Sequence, residues 1–204
     1  MTTGLIVAGG RSTRFGETDK AVAELAGRPL VAHVANGLES HVDQLIVSCR
    51  RQQREAIAAA LSEIDLPVSF AFDDREVGPL GGICDGLQAS DSEWTLVVGC
   101  DFPFVDTEAI ETLASAEANA VDAVVFQYPD GSIQPLCGRY RTHPARVGSQ
   151  RLLSAGEYRA QALVETLSTQ FFAVTEQLAE QLENINTSDA LADAEVRFSR
   201  SEQG

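Results

Sequence analysis

The chain has 204 residues, 44% hydrophobic and 22% charged, and its 30 acidic against 15 basic side chains leave a net charge of −15. That length suits a single domain, and the ordinary apolar content argues against charge-driven disorder. The negative balance excludes a nucleic-acid scaffold or an anionic-membrane binder, since both need basic fields. No apolar run approaches the roughly 18–20 residues of a membrane span, and no basic-then-apolar leader opens the chain, so a soluble, cytoplasmic protein is expected. All but one of the basic residues are arginine, and the single lysine is Lys20. Abundant acid with almost no lysine is the composition expected of a salt-adapted surface. Cys49, Cys84, Cys100 and Cys137 form no CxxC pair and read as reduced core residues.

In chain order, residues 4–8 (GLIVA) read as a buried parallel strand that ends in glycines. A helix is predicted over 29–39, with Val31, Val34, Ala35 and Leu38 on one stripe. A strand at 44–49, a helix near 52–62 and a strand at 67–72 follow. The turn GPLGG at 78–82 opens a helix to about 89, and a strand at 94–99 leads to CDFPFVD and a helix from 107 to about 117. This alternation means βαβ units and a mostly parallel sheet. The segments VDAVVFQ and PLCGRY flank a turn and predict an antiparallel excursion. Helices near 144–155 and 160–168, a strand at 171–174 and a capped helix after ENINTSDAL complete one domain over 1–196. Residues 197–204 read as a flexible tail.

The segment VAGGRSTRFGETDK, residues 7–20, follows the first strand. Glycines there let backbone N–H groups face an anion. The Walker pattern fails, because five residues separate Gly10 from Gly16 and Glu17 follows; the dinucleotide pattern fails because Gly9 and Gly10 are adjacent. What remains is a longer loop carrying Gly10, Arg11, Ser12, Arg14 and finally Lys20, with the backbone donors and cations that a triphosphate requires. Asp101 lies just past a buried strand, on the edge where ligands collect in parallel α/β sheets, and suits Mg²⁺ shared with phosphate oxygens. Asp106 is the expected cap of the next helix.

These motifs, with GRPLVAHVANGL at 27–38, GPLGGICDGL at 78–87, IQPLCGRY at 133–140 and NINTSDAL at 184–191, make the chain resemble the molybdenum cofactor guanylyltransferase family along nearly its whole length. The resemblance implies a Rossmann-like three-layer nucleotidyltransferase fold and transfer of GMP from GTP to molybdopterin, with Mg²⁺. The AGG form of the first motif favours GTP. CTP, another phosphorylated acceptor, or a non-catalytic nucleotide-binding protein are the alternatives. Nucleotide contacts are implied for Val7, Ala8, Gly9, Gly10 and Ser12, with Arg14 and Lys20 at the phosphates and Asp101 on the metal. Gly81 and Gly82 would face the base or ribose. Asp73 takes the guanosine-binding place, in a register that adjacent Asp74 leaves open, and Ser48 stands where the family often has asparagine. Asn184 and Asn186, two apart in an extended segment, would face the same way and read a pterin while Ile185 points inward. Apo-molybdoenzymes or their chaperones are the implied delivery partners.

Between 139 and 159 five arginines, Arg139, Arg141, Arg146, Arg151 and Arg159, face a single acid, Glu157. An arginine-bearing surface for the anionic acceptor is expected there.

Overall fold

The apolar runs and amphipathic stretches assemble into a single sheet covered on both faces. A computed structural model describes residues 1–9, 19–74, 77–116 and 121–201. In chain order the strands are β1 (Thr2–Val7), β2 (Glu24–Leu25), β3 (Arg28–Pro29), β4 (Gln44–Cys49), β5 (Val68–Phe72), β6 (Trp94–Gly99), β7 (Ala123–Gln127), β8 (Ile133–Arg141) and β9 (Thr169–Ala173). The helices are α1 (Leu30–Glu39), α2 (Arg54–Ala60), α3 (Pro79–Ala89), α4 (Thr107–Ala114), α5 (Thr142–Ser154), α6 (Ala160–Thr166), α7 (Glu176–Gln181) and α8 (Ser188–Ser201). The main sheet has the order β5-β4-β1-β6-β8-β7-β9, and β2 pairs with β3 in a small separate hairpin.

Strands β1, β4, β5 and β6 pair in parallel, and β8 lies antiparallel to both β6 and β7. The predicted excursion is therefore the β7–β8 hairpin, with β8 as the reversed strand. Alternate side chains along each strand feed opposite layers. Ile6, Leu45, Val47, Leu96, Val98 and Phe126 meet α1, α4 and α7 through Val34, Leu38, Ile110, Leu113 and Leu178. Leu5, Ile46, Val97, Val125 and Tyr140 meet α3, α5 and α6 through Leu80, Ile83, Leu87, Ala145 and Leu163. Both faces being covered explains why the central strands read as continuous apolar runs. From β1 the chain proceeds through α1 to β4 on one side, while β6 returns to the other side of β1. The β1/β6 boundary is thus a switch point, the place where open α/β sheets form a ligand cleft beyond their C-terminal strand ends. Helix α1 packs closely on the segment that leads into α4, since a Cβ on Gly37 would run into the carbonyl oxygen of Val105.

Two elements escaped the sequence reading, the short helix α7 and the β2–β3 hairpin. The tail expected from residue 197 is a correction: α8 continues to Ser201. Ala190, Leu191, Ala194 and Phe198 form a helical stripe that docks beside Leu25, Leu30 and Ile185. Phe198 stacks on Phe104 with ring centres 6.1 Å apart and tilts against His33 at 5.4 Å. Arg197 adds a 2.6 Å ion pair to Glu183 and lies 4.9 Å over the Phe104 ring. No helix of the described residues is long and apolar enough to cross a membrane.

Candidate active site

Four strand ends supply the cleft. Val7, Ala8 and Gly9 leave β1, where Ala8 N donates to Ser48 O at 2.8 Å and Cys100 N donates to Val7 O at 3.0 Å. These bonds tie the glycine-bearing segment to both neighbouring strands. Val7 is half-buried, while Ala8 and Gly9 are buried. Residues 10–18 lie outside the described residues, so the expectations on Gly10, Ser12 and Arg14 fall there too. The described chain resumes at Asp19, whose carboxylate accepts from Ala21 N at 3.1 Å and caps the 3-10 turn Lys20–Val22.

Lys20 is the centre of the arrangement. Its Nζ donates to Asp101 Oδ2 at 3.1 Å and to Asn186 Oδ1 at 2.6 Å, with the lysine and aspartate side chains 13% and 18% exposed. Ile185 N donates to Asp101 O at 2.8 Å, which lays the Asn-Ile-Asn segment along the loop after β6. Ile185 is buried and both asparagines are exposed, the alternation expected of an extended chain. Thr187 caps α8 by accepting from Ala190 N at 3.1 Å, and Asp106 caps α4 by accepting from Glu108 N at 2.9 Å. Asp101 is thereby left without a capping duty. A lone, partly exposed carboxylate fits Mg²⁺ that brings its own phosphate and water ligands, not a metal held by protein alone. Among the described residues no cluster of three or more His, Cys, Asp or Glu could hold a metal.

The two adjacent aspartates at the end of β5 face different surroundings. Asp73 is 3% exposed, and its carboxylate lies between two glycines: a Cβ on Gly9 would sit 3.5 Å from Oδ2, and one on Gly81 3.3 Å from Oδ1. Asp74 points outward, where Arg51 grips it with two bonds of 2.9 Å. Successive residues of an extended segment face opposite ways, so the two carboxylates do not share one environment. Gly81 and Gly82 are the third and fourth residues of α3, whose entry at Gly78 has φ +110°, a conformation that glycine adopts without strain.

Two expectations meet a different geometry. Ser48 lies in β4 and is fully buried beneath α3, where a Cβ on Gly82 would come within 3.1 Å of its Oγ. Among the described residues, Ser48 Oγ is a buried side-chain polar atom with no hydrogen-bond partner. The hydroxyl therefore faces α3. Ser48→Ala is expected to leave KM for the nucleotide within about twofold and to hold or raise the melting temperature, because an unsatisfied hydroxyl costs about 1–3 kcal/mol. A tenfold rise in KM would instead put the hydroxyl on the ligand.

The arginine surface is also displaced. Arg141 pairs in register with Trp94, the first residue of β6, and Arg139 with Leu96. At about 3.3 Å per residue, the two ends of β6, Trp94 and Gly99, are about 17 Å apart along the sheet, and Asp101 lies beyond the far end. Arg139 and Arg141 stack over the Trp94 ring at 4.2 and 4.9 Å, and Arg141 bonds Glu93 at 3.1 Å. Arg146 lines a hollow with Glu93 and Arg141, and Arg151 another with Asp122 and His143. Only Arg159 belongs to a loop near the cleft, since a Cβ on Gly78 would lie 3.4 Å from the Tyr158 carbonyl; its guanidinium holds Glu157 at 2.7 Å.

Thiol chemistry has no place here. Burial pushes Cys100, beside Asp101, up to about 12 and Cys49 up to about 11, so both stay protonated at neutral pH. The supports of the cleft that sequence reasoning missed are Asp19, Arg50 and Gln53; a polar run after β4 carries no local sign that Gln53 turns inward.

A Rossmann-like sheet with a glycine segment after its first strand, a lysine and an aspartate meeting at the switch point, and a buried acid beside glycine backbone defines a nucleotidyltransferase. The MobA-like NTP transferase domain model matches residues 4–171, and the chain belongs to that family. A protein of Natronomonas pharaonis named "Probable molybdenum cofactor guanylyltransferase" is 38% identical, over 97% of this chain and 98% of its own length. A "Molybdenum cofactor guanylyltransferase" of Pseudomonas entomophila is 32% identical, over 92% and 94%. The crystal structure of molybdopterin-guanine dinucleotide biosynthesis protein A from Archaeoglobus fulgidus superposes with a TM-score of 0.77 at 25% identity, covering 97% of this chain and 99% of that one.

Proposed function

We propose that this protein transfers GMP from GTP to molybdopterin, with or without bound molybdenum, releasing pyrophosphate and forming the guanine dinucleotide cofactor. One observation carries the reading: Lys20 bonds at once to Asp101, at the end of β6, and to Asn186, in the Asn-Ile-Asn segment. A phosphate-binding cation thus joins the nucleotide half of the cleft to the segment assigned to the acceptor. An acceptor phosphate oxygen attacks the α-phosphorus, the bond from that phosphorus to the β-phosphate bridge breaks, and pyrophosphate leaves. No enzyme nucleophile is needed, so the protein acts by positioning and charge stabilisation.

Asp101 is the residue suited to hold Mg²⁺, which would offset negative charge on the phosphate oxygens. Lys20 and Arg14 supply positive charge for the departing pyrophosphate. Backbone at Val7, Ala8, Gly9 and Gly10, with Ser12, contacts the nucleotide. Asp73 selects guanine, because a carboxylate accepts both N–H donors on that base's Watson–Crick edge, whereas cytosine offers one amino group beside an acceptor. Gly81 gives close backbone approach beside it, while Gly82 seats α3 against Val7 and Ser48, and Asn184 and Asn186 present amides to the pterin. The acidic surface suits a cytoplasm of concentrated salt, and apo-molybdoenzymes or their chaperones are the receivers of the product.

The test is pyrophosphate release in high salt with GTP, CTP or ATP, with and without molybdopterin and Mg²⁺. Release is expected only when GTP, molybdopterin and Mg²⁺ are combined. Release with CTP alone among the nucleotides would move the assignment to a cytidylyltransferase, and no release under any condition would leave nucleotide binding without transfer.

A further inference from the structure

We infer that Gln53, acting with Arg50 and Asp19, is a positioning residue that holds the backbone at Ala8 in a set relation to Lys20. The inference rests on the nucleotide-site reading above and assigns no ligand contact to Gln53. Gln53 ends the 3-10 turn Arg51–Gln53 after β4 and is 3% exposed. Its Nε2 donates to Ala8 O at 3.1 Å. Its Oε1 accepts from Arg50 N at 2.7 Å and from Arg50 Nε at 3.2 Å. The same guanidinium reaches Asp19 Oδ2 at 3.4 Å, and Asp19 caps the turn that begins with Lys20. An unbroken polar chain therefore runs from Ala8, through Gln53, Arg50 and Asp19, to the turn carrying the lysine.

The chemistry of the links requires an amide at position 53. Toward Ala8 it must donate to a carbonyl oxygen, and toward Arg50 it must accept from two N–H groups. Glutamate keeps the second function and sets a carboxylate against the Ala8 carbonyl. Methionine fills the space with neither. In both cases Ala8 O is left buried without its donor, while Ala8 N still bonds Ser48 O. The expected consequence is a backbone segment freed from its set distance to Lys20, so that ordering both around a triphosphate costs more at the binding step. Once nucleotide is bound the geometry is restored, and turnover at saturation changes little.

The experiment uses the full chain in high salt. Equilibrium binding of Mg²⁺·GTP and steady-state kinetics are measured for wild type, Gln53→Met, Gln53→Glu, Arg50→Met, Asp19→Ala and the double variant Gln53→Met/Asp19→Ala. Each single substitution is expected to raise Kd for GTP about tenfold, the equivalent of one buried hydrogen bond, with kcat at saturating GTP within about twofold. The double variant is expected to be no weaker than the weaker single, because one chain is cut twice. Unchanged Kd in folded variants, with only a lowered melting temperature, overturns the inference and leaves Gln53 a purely structural residue. Additive losses in the double variant also overturn it. Arg50→Met, on a partly exposed side chain, keeps the test decisive if the Gln53 variants do not fold. Wild type that fails to bind GTP overturns the nucleotide-site reading together with the inference, whereas wild-type binding with unaffected variants overturns the inference alone.

Discussion

Lys20→Ala is expected to lower kcat for GMP transfer by about a hundredfold while the protein stays folded. A preorganised cation aimed at developing phosphate charge contributes about 3 kcal/mol to the barrier, by analogy with single oxyanion-hole donors. The turn that carries Lys20 does not depend on its ammonium group: Asp19 caps the turn through Ala21 N, and Ala23 N bonds Lys20 O. Loss of the bond to Asp101 leaves a carboxylate that water can reach, so the stability effect is small. Rate measurements beside a thermal melt separate the two effects. Turnover near the wild-type value would remove Lys20 from the phosphate site.

Asp101→Asn is expected to cost more, about a thousandfold in turnover, and to shift the Mg²⁺ dependence to higher concentration. Asparagine is nearly isosteric and still offers an oxygen to Lys20, and the backbone bond from Ile185 N to Asp101 O is untouched. Shape and local packing are kept while the charge disappears, which isolates the metal-binding role. The measurement is pyrophosphate release across a Mg²⁺ titration. An asparagine variant with the wild-type midpoint and near-normal rate would show that the carboxylate is not linked to the metal. Substitution at Asp74 provides the contrast, because its partner is Arg51 at the surface.

Much of the fold was legible along the chain because periodicity is a local property. Buried parallel strands read as unbroken apolar runs at 4–8, 44–49 and 94–99, and the intervening stripes matched α1, α3 and α4 closely. Asp101 at the sheet edge was legible for a similar reason, since it follows a strand end at the switch point, whereas its contact with Lys20 depends on the turn Lys20–Val22 and was not read from the sequence. The ends of elements were read less well. Helix α8 runs past residue 197 because Phe198 finds Phe104 and His33 to pack on, partners remote in sequence.

The sequence by itself determined the α/β class, the glycine segment, the positions of Lys20 and Asp101 and the Asn-Ile-Asn segment. Tertiary structure decided which way Asp73, Asp74 and Ser48 face. The pleat after β5 turns Asp73 toward Gly9 and Gly81 and Asp74 out to Arg51, and the α3 helix covers Ser48. Lys20 and Asn186 meet across 166 positions, and Gln53 reaches Ala8 across 45. The arginines of β8 show the reason most plainly. Their charge pattern suggested an acceptor surface, but β8 runs antiparallel to β6, so Arg139 and Arg141 are carried to the edge of the sheet opposite Asp101. The turn announces the hairpin, but that β8 and not β7 lies beside β6 is set by the pairing of distant segments, and no local run of residues records it.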